Sequence, residues 1–369
     1  MNNTQPTNFL QRWNAIQYDL IPGLKEEVGC LTPKLEKLIH ILEWVRIEGF
    51  VEDAWFGVGR PPHDRGALAN AFVAKTVLGL STTVGLLERL QMDRALRRLC
   101  GFPMWKRLPT EATFSRAFAE FAQGKLAERV HEALIKGHLG KTLIGHISRD
   151  GTAIEAREKP TKKAGKITKL AEKVVKRGRP KAGEVREPKT SRIGRQLTQT
   201  LLAILDELPK ECGRGSKCNA QGYKNTWNGY KLHLDTADCG VPISALLTSA
   251  SVHDSQTAVP LSLMSASRVT NLHDLMDAAY CSDELRRHSQ SLGHVPLIDH
   301  NPRGGEKKPF APHEAQRYNE WTQAERANGR LKDEFGGRFV RVQGSVKVMG
   351  HLMFGVLVLS ADQLVRLMT

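Results

Sequence analysis

Residues 141–150, Lys-Thr-Leu-Ile-Gly-His-Ile-Ser-Arg-Asp, decide the fold because the pattern of the chain changes here from helix to strand. The run is rich in leucine and isoleucine, and a glycine follows its final carboxylate. A short apolar run of this kind is typical of a buried strand. We therefore expect Asp150 to lie at the end of a strand, at the edge of a sheet.

The residues before this strand predict helices. Apolar side chains recur on one helical face from Leu35 to Val45, directly after a Thr32-Pro33 start signal. Further helical patterns cover residues 67–80, 84–99, 112–122 and 125–136. We predict a helical domain over residues 1–140, in which residues 1–32 form an arm of uncertain order.

Arginines suggest that this helical domain binds DNA. The segment 84–99 carries Arg89, Arg94, Arg97 and Arg98, and Arg116 lies on the helix that follows. A short, proline-bearing connection between the two is compatible with a helix-turn-helix whose second helix enters a DNA groove. The alternative is a helix pair without a ligand, since most short helix pairs have no such role.

Strands and helices alternate in the rest of the chain. The predicted strands are 229–234 and 241–248, which form a hairpin, followed by 273–277 and 295–299; the predicted helices are 256–266, 282–292 and 318–332. This order predicts an α/β (α+β) fold, with a mixed-sheet domain over residues 141–369. Asp277 ends the fourth of its five strands.

The helix predicted over residues 318–332 carries two aromatic rings and two charges on one face. Tyr318, Trp321, Glu325 and Lys332 point within about 60° of one another at 100° per residue. Gly336 and the glycine after it supply a stop signal beyond this helix. Taken alone, the face is typical of a solvated amphipathic helix that carries an accidental ion pair.

The charge of the chain is strongly positive and unevenly distributed. Lys plus Arg number 54 against 39 Asp plus Glu, a net charge of +15 that favours a polyanionic partner. Residues 157–189 hold 13 Lys plus Arg against 4 acidic residues and few large apolar side chains. We predict that residues 157–225 form a basic, partly disordered insertion in the sheet domain.

Within this insertion, the segment Lys176-Arg-Gly-Arg-Pro-Lys181 is similar to an AT-hook. In such a peptide the arginines, here Arg177 and Arg179, enter the narrow minor groove of A·T-rich DNA. A generic solvated basic linker is the alternative. Either form predicts salt-sensitive affinity for phosphate.

Signals for secretion, membrane insertion and cysteine frameworks are weak. The first residues lack the basic and apolar regions of a signal peptide, so we expect a cytoplasmic protein. The apolar run from Met353 to Leu359 is shorter than the roughly 20 residues that span a bilayer, so we expect no membrane association. The six cysteines include no Cys-x-x-Cys pair, which argues against a zinc ribbon.

Three carboxylates lie at particular positions in the predicted order of strands and helices. Asp150 ends the first strand, Asp277 ends the fourth, and Glu325 lies on the helix after the fifth. Converging carboxylates repel one another unless cations lie between them, and oxygen ligands select Mg²⁺ or Mn²⁺. Two such ions can activate water or a 3′ hydroxyl and stabilise the leaving oxygen of a phosphodiester.

The ordered motifs resemble those of DDE transposases of bacterial insertion sequences. They are Arg149-Asp-Gly-Thr152, Gly229-Tyr-Lys-Leu-His-Leu234, Ser251-Val-His-Asp-Ser255, Met276-Asp-Ala-Ala-Tyr280, Glu325-Arg-Ala-Asn-Gly-Arg-Leu-Lys332, His351-Leu-Met-Phe354 and Ala361-Asp-Gln-Leu364. The resemblance implies a ribonuclease-H-like core in which Asp150, Asp277 and Glu325 bind two Mg²⁺ or Mn²⁺ ions. It also implies cleavage of element ends and strand transfer without a covalent enzyme intermediate.

The resemblance further implies the partners. The expected partner is double-stranded DNA, both as the terminal inverted repeats of the element and as the target. The DNA complex is expected to contain at least a homodimer, and the bound protein is expected to lie on the nucleoid. A ribonuclease-H-like nuclease without strand transfer and a non-catalytic DNA-binding descendant are the alternatives. The presence of all three acids argues against the second.

The family signature around the glutamate is matched by Tyr318, Glu325 and Lys332, but Trp321 stands where arginine is expected. Lys332, Tyr318 and Arg326 are predicted DNA contacts. Trp321 either stacks on an unpaired base or belongs to the core. His253 and Asp254 either support the site or, for Asp254, cap the next helix.

Overall fold

The computed structural model describes residues 31–51, 62–161, 191–218, 221–302 and 305–368. A helical region precedes a mixed sheet that is flanked by helices, which confirms the predicted α/β fold. The predicted N-terminal arm up to residue 30 and the hook residues Arg177 and Arg179 lie outside the described residues.

Six helices and one 3-10 turn form the described helical region. They are α1 (Pro33–Val45), a turn at Ile47–Phe50, α2 (Arg65–Val77), α3 (Thr83–Met92), α4 (Arg94–Leu99), α5 (Glu111–Gln123) and α6 (Leu126–Leu139). The predicted helix over residues 84–99 is interrupted, because the Asp93 side chain accepts a hydrogen bond from the amide of Leu96 and starts a new helix.

The connection between α4 and α5 departs from a helix-turn-helix. It occupies residues 100–110, which is longer than the three or four residues typical of that motif. The buried ring of Phe102 packs on Phe114 at its far side, with ring centroids 6.1 Å apart. The connection is therefore an anchored loop and not a tight turn.

Strands and helices alternate in the second region. They are β1 (Leu143–Glu155), α7 (Arg192–Gln196), α8 (Leu201–Glu207), β2 (Gly213–Cys218), β3 (Lys224–Ala237), β4 (Pro242–Ser249), α9 (Ala258–Ala266), β5 (Thr270–Met276), α10 (Asp283–Ser291), β6 (Val295–Ile298), α11 (Pro312–Tyr318), α12 (Thr322–Asp333) and α13 (Ser345–Met368). Short 3-10 turns lie at Asp254–Thr257, Ala278–Tyr280 and Asn319–Trp321.

The sheet is mixed. Strand β3 pairs antiparallel with β1, β2 and β4, whereas β1, β5 and β6 pair in parallel in that order. The β1–β5 pair makes the first and fourth predicted strands neighbours in the sheet. Strand β2 was not predicted, because its glycine-rich polar sequence lacks the apolar alternation of a strand.

Helix α13 lies at the centre of the molecule. It packs against α1, α2, α5, α6, α12 and β4, so one apolar core extends from the helical region to the sheet. Among the described helices it alone is long and apolar enough to cross a membrane, but 78% of its most apolar window is buried inside the protein. Burial of this extent is what a core helix requires.

Two predicted element boundaries were wrong. Strand β1 does not end at Asp150 but continues to Glu155, because its antiparallel pairing with β3 extends to the pair Glu155 and Gly229. The predicted helix over residues 318–332 is divided into α11 and α12 by the turn at Asn319–Trp321. Tyr318 therefore does not share one continuous helical face with Glu325.

Candidate active site

The register of two parallel strands brings Asp150 and Asp277 together. The β1–β5 pairing ends at the partners Arg149 and Met276, so the next residue of each strand is an aspartate. Side chains of directly paired residues point to the same face of a sheet. The two carboxylates thus lie side by side where the parallel strands separate.

A buried ion pair fixes this end of β1. The Arg149 guanidinium donates from Nε to Asp235 Oδ1 at 2.7 Å and from Nη2 to Asp235 Oδ2 at 2.8 Å. Ser265 Oγ also donates to Asp235 Oδ2, at 2.7 Å. Because Arg149 and Asp235 are both almost fully buried, the bidentate pair locks β1 against β3 directly beside Asp150. This pair was not predicted from the sequence.

Asp150 is held in an environment that disfavours its charge. Burial raises the pKa of its carboxyl to about 6, and the negative charge of Asp277 acts in the same direction. Its Oδ2 accepts a hydrogen bond from Asn328 Nδ2 on α12, at 2.9 Å. Among the described residues, no cationic side chain forms an ion pair with Asp150.

Asp277 is likewise a carboxylate without an ion-pair partner among the described residues. Burial raises its pKa, and the negative charge of Asp254 raises it further. Its side chain accepts a hydrogen bond from the amide of Ala279 at 3.0 Å and so caps the turn at Ala278–Tyr280. Two adjacent acids therefore share a site in which their charges are poorly compensated.

Helix α12 approaches the aspartates from the side of β1. Trp321 Nε1 donates to the carbonyl oxygen of Arg149 at 3.2 Å, which ties the start of α12 to the residue before Asp150. At its other end, Arg330 forms an ion pair with the nearly buried Asp362 of α13. The half-buried Trp321 thus has a packing role, and stacking on a base stays a prediction.

Glu325 lies on α12 one turn before Asn328, the residue that contacts Asp150. Its side chain is exposed and has no hydrogen bond or ion pair with any described residue. In the described part of the chain, no three His, Cys, Asp or Glu side chains are close enough to hold one metal ion. In this conformation the two aspartates are adjacent, and Glu325 lies on the neighbouring helix without joining them in one metal-binding cluster.

The hydroxyl of Tyr318 lies in the electrostatic field of all three acids. Burial raises its pKa, and the negative charges of Asp299, Asp277, Glu325 and Asp150 act in the same direction. Its ring is parallel to that of Trp321, at 3°, with centroids 6.3 Å apart. The aromatic pair therefore lines the space between the strand ends and α12.

Asp254 is a fourth acid beside this site. Its Oδ1 accepts a hydrogen bond from Lys231 Nζ at 2.9 Å and would lie 3.1 Å from a β-carbon added at Gly151. The cap that precedes its turn is His253, so capping of the next helix by Asp254 was wrong. Gly151 is required here, since a side chain would collide with Asp254 and His233.

Basic residues border the acids on one side. Lys332 is half-buried, and burial together with the positive charge of Arg338 lowers its pKa. The exposed Lys217 of β2 acts electrostatically on Asp150, Asp277 and Lys332, a neighbour that the sequence did not identify. Arg326 is exposed on α12 and contacts none of the described acids.

Residues 24–120 match the family model described as a transposase domain (DUF772), and residues 144–360 match the one described as a transposase DDE domain. No curated protein and no solved structure matches the chain. The second match covers more than half of the sequence and includes Asp150, Asp254, Asp277 and Glu325.

Proposed function

Because the chain belongs to the transposase DDE domain family, we propose that it cuts DNA at the ends of an insertion sequence and joins them to target DNA. The observation that carries this proposal is the position of Asp150 and Asp277 directly after the paired residues Arg149 and Met276, as two partly buried acids without an ion-pair partner among the described residues. We assign Asp150, Asp277 and Glu325 as the metal-binding carboxylates.

The donor set fits a hard divalent cation. The charge of Asp277 raises the pKa of Asp150, and an acid pair of this kind is stabilised when a cation replaces the proton. Oxygen ligands of this kind prefer Mg²⁺ or Mn²⁺. When two such ions are bound, they supply an activated water or 3′ hydroxyl and neutralise charge on the phosphodiester oxygens.

The protein's own residues position these ligands. The Arg149–Asp235 pair fixes the backbone of β1, and Asn328 holds one oxygen of Asp150 so that the other remains available. Trp321 fixes the start of α12, from which Glu325 extends. Three side-chain torsions allow this exposed glutamate to turn toward the aspartates, so the third ligand joins on metal or DNA binding.

DNA contacts are assigned to the basic border of the site. The charge of Lys217 lowers the pKa of Asp150, and the charge of Asp150 raises that of Lys332, which supports a position of both lysines where scissile phosphates would approach. Tyr318 and Arg326 are additional contacts, at the aromatic wall and on the exposed side of α12. Simultaneous handling of two element ends requires at least a dimer in the DNA complex.

A cleavage assay tests this proposal. The substrates are duplexes that carry the inverted repeats flanking the gene, incubated with the full chain and Mg²⁺. Wild-type protein should nick these ends, and Asp277→Ala should lose more than about a thousandfold in rate because several kcal/mol of transition-state stabilisation disappear. Asp206→Ala, which removes an 86%-exposed carboxylate on α8, serves as the matched control.

A second readout separates transposition from simple nuclease activity. Adding a supercoiled plasmid should yield products in which the cleaved 3′ ends are joined to plasmid DNA. Cleavage without joined product would favour a nuclease, and full activity of Asp277→Ala would refute the assignment of the acids.

A further inference from the structure

A basic cleft opens in the helical region, away from the carboxylates of the sheet. It has a volume of about 1160 Å³ and is bordered by the start of α2, the loop at residues 100–110 and α5. Its cationic lining residues are Arg65, Lys106, Arg107 and Arg116. The helix-turn-helix expectation did not account for this cleft.

The loop beside the cleft is held in a defined shape. The Arg97 guanidinium donates from Nη2 to the carbonyl of Pro103, at 2.8 Å, and to that of Lys106. Phe102 and Pro109 are buried at its two ends. These anchors leave the tip, Trp105 to Arg107, projecting into solvent on a fixed base.

Trp105 is the most informative residue of this tip. Its side chain is 85% exposed, although an indole is among the groups that gain most from burial. It directly precedes two exposed cations, Lys106 and Arg107. Single exposed apolar residues are common on protein surfaces, but an aromatic ring combined with cations beside a groove is the pattern of nucleic-acid binding.

The charges of the cleft are available to a ligand. Among the described residues, no carboxylate forms an ion pair with Lys106, Arg107 or Arg116, whereas Arg65 is paired with Glu120 at 2.7 Å. Asp64 also lines the cleft, but its carboxylate already accepts a hydrogen bond from the amide of Ala67 at 3.0 Å. A phosphate chain is therefore the complementary partner.

We propose that this loop and cleft form a second DNA-binding site, in which Trp105 stacks on an unpaired or terminal base while Lys106, Arg107 and Arg116 contact phosphates. The inference rests on the proposed function, because it names DNA as the ligand. Arg97 is a positioning residue that holds the loop. The site binds the DNA and the sheet carboxylates perform the chemistry.

Fluorescence anisotropy with the full chain tests this site. The labelled probes are a duplex with the gene's flanking repeat and a random duplex of equal length, each with and without one unpaired base. Trp105→Ala should weaken binding five- to 150-fold, equivalent to about 1 to 3 kcal/mol, most strongly on probes with an unpaired base. The salt dependence should stay unchanged, because no charge is removed.

Two further variants separate stacking from charge. The double variant Lys106→Ala/Arg107→Ala should reduce the slope of log Kd against log salt by roughly 2, since two phosphate contacts are lost. Met92→Ala, which truncates an 83%-exposed side chain on α3, and Lys141→Ala should bind like wild type. A loss confined to the repeat would assign the site to element ends, and an equal loss on both sequences would assign it to DNA in general.

Binding of Trp105→Ala at wild-type strength to every probe would overturn this inference while leaving the proposed function intact. Equal weakening by Met92→Ala would also overturn it. Absence of wild-type binding to all four probes would instead refute the proposed function together with the inference. Circular dichroism melts of each variant show whether a loss of binding reflects unfolding.

Discussion

Two parts of the candidate active site are built differently. At the β1–β5 junction, strand register places Asp150 and Asp277 next to each other in partly buried positions, and the buried Arg149–Asp235 pair fixes the adjacent backbone of β1. Helix α12 presents Glu325 from an exposed face behind a 3-10 turn. Two of the three proposed metal ligands are therefore preorganised at a cost in stability, whereas the third is free to adjust.

The largest effect on stability is expected when the Arg149–Asp235 pair beside the strand junction is broken. Arg149→Met leaves Asp235 charged and buried without its partner, so we expect a loss of about 3 to 5 kcal/mol in the free energy of unfolding. Denaturant unfolding measures this loss. The double variant Arg149→Met/Asp235→Leu should recover most of it, and failure to recover would mean that the pair is not the source of the effect.

A smaller effect of opposite sign is expected at Asp150. Its pKa is raised from 3.8 to about 6, so between these pH values the folded protein holds more protons than the unfolded chain, and stability falls as pH rises. Without divalent cations, Asp150→Asn should therefore stabilise the protein at pH 7 by about 2 to 3 kcal/mol.

Thermal melts at two pH values, with and without Mg²⁺, check this prediction. The advantage of Asp150→Asn should fall to a few tenths of a kcal/mol near pH 3.5, where the wild-type carboxyl is protonated in the folded state and mostly protonated in the unfolded chain. Mg²⁺ should stabilise wild type and narrow the difference at pH 7. Glu325→Gln, at an exposed position, should change metal-free stability by less than about 0.5 kcal/mol, which sharpens the contrast between the two regions.

The smallest effect on stability is expected at the hydrogen bond between Trp321 and Arg149, which connects the two regions. Trp321→Phe keeps an aromatic ring but removes the hydrogen bond to the Arg149 carbonyl, so we expect a loss of about 1 kcal/mol in stability. DNA cleavage should slow through the maximal rate, while Kd for duplex DNA stays constant. A change confined to Kd would show that Trp321 contacts DNA instead of positioning α12.

The fold class and several residues near the site were predicted from local sequence patterns. The ion pairs and hydrogen bonds that hold these residues in place were not. Asp277 follows a short apolar strand whose end is visible in the sequence. The end of β1 is not, because the strand leaves β5 after Arg149 but continues along β3 to Glu155. The residue at which a strand stops pairing with each of its neighbours depends on contacts with residues distant in sequence.

The same limit explains the other differences. No proline or glycine marks the break between α11 and α12, where Trp321 bonds to a strand 172 residues away. The Arg149–Asp235 and Lys231–Asp254 pairs join residues whose spacing carries no motif. The one available signal was the position of Arg149 in an apolar strand. A charged residue is buried there only when it has a partner.

The assignment of Asp150, Asp277 and Glu325 as metal ligands is tested most directly by Mn²⁺ binding, measured by electron paramagnetic resonance on the full chain without DNA. We predict that Asp150→Asn and Asp277→Asn each abolish the tight Mn²⁺ sites, while Glu325→Gln weakens binding only partly, because the third ligand is adjustable. Mn²⁺ binding of wild-type strength in Asp150→Asn and Asp277→Asn would contradict the account.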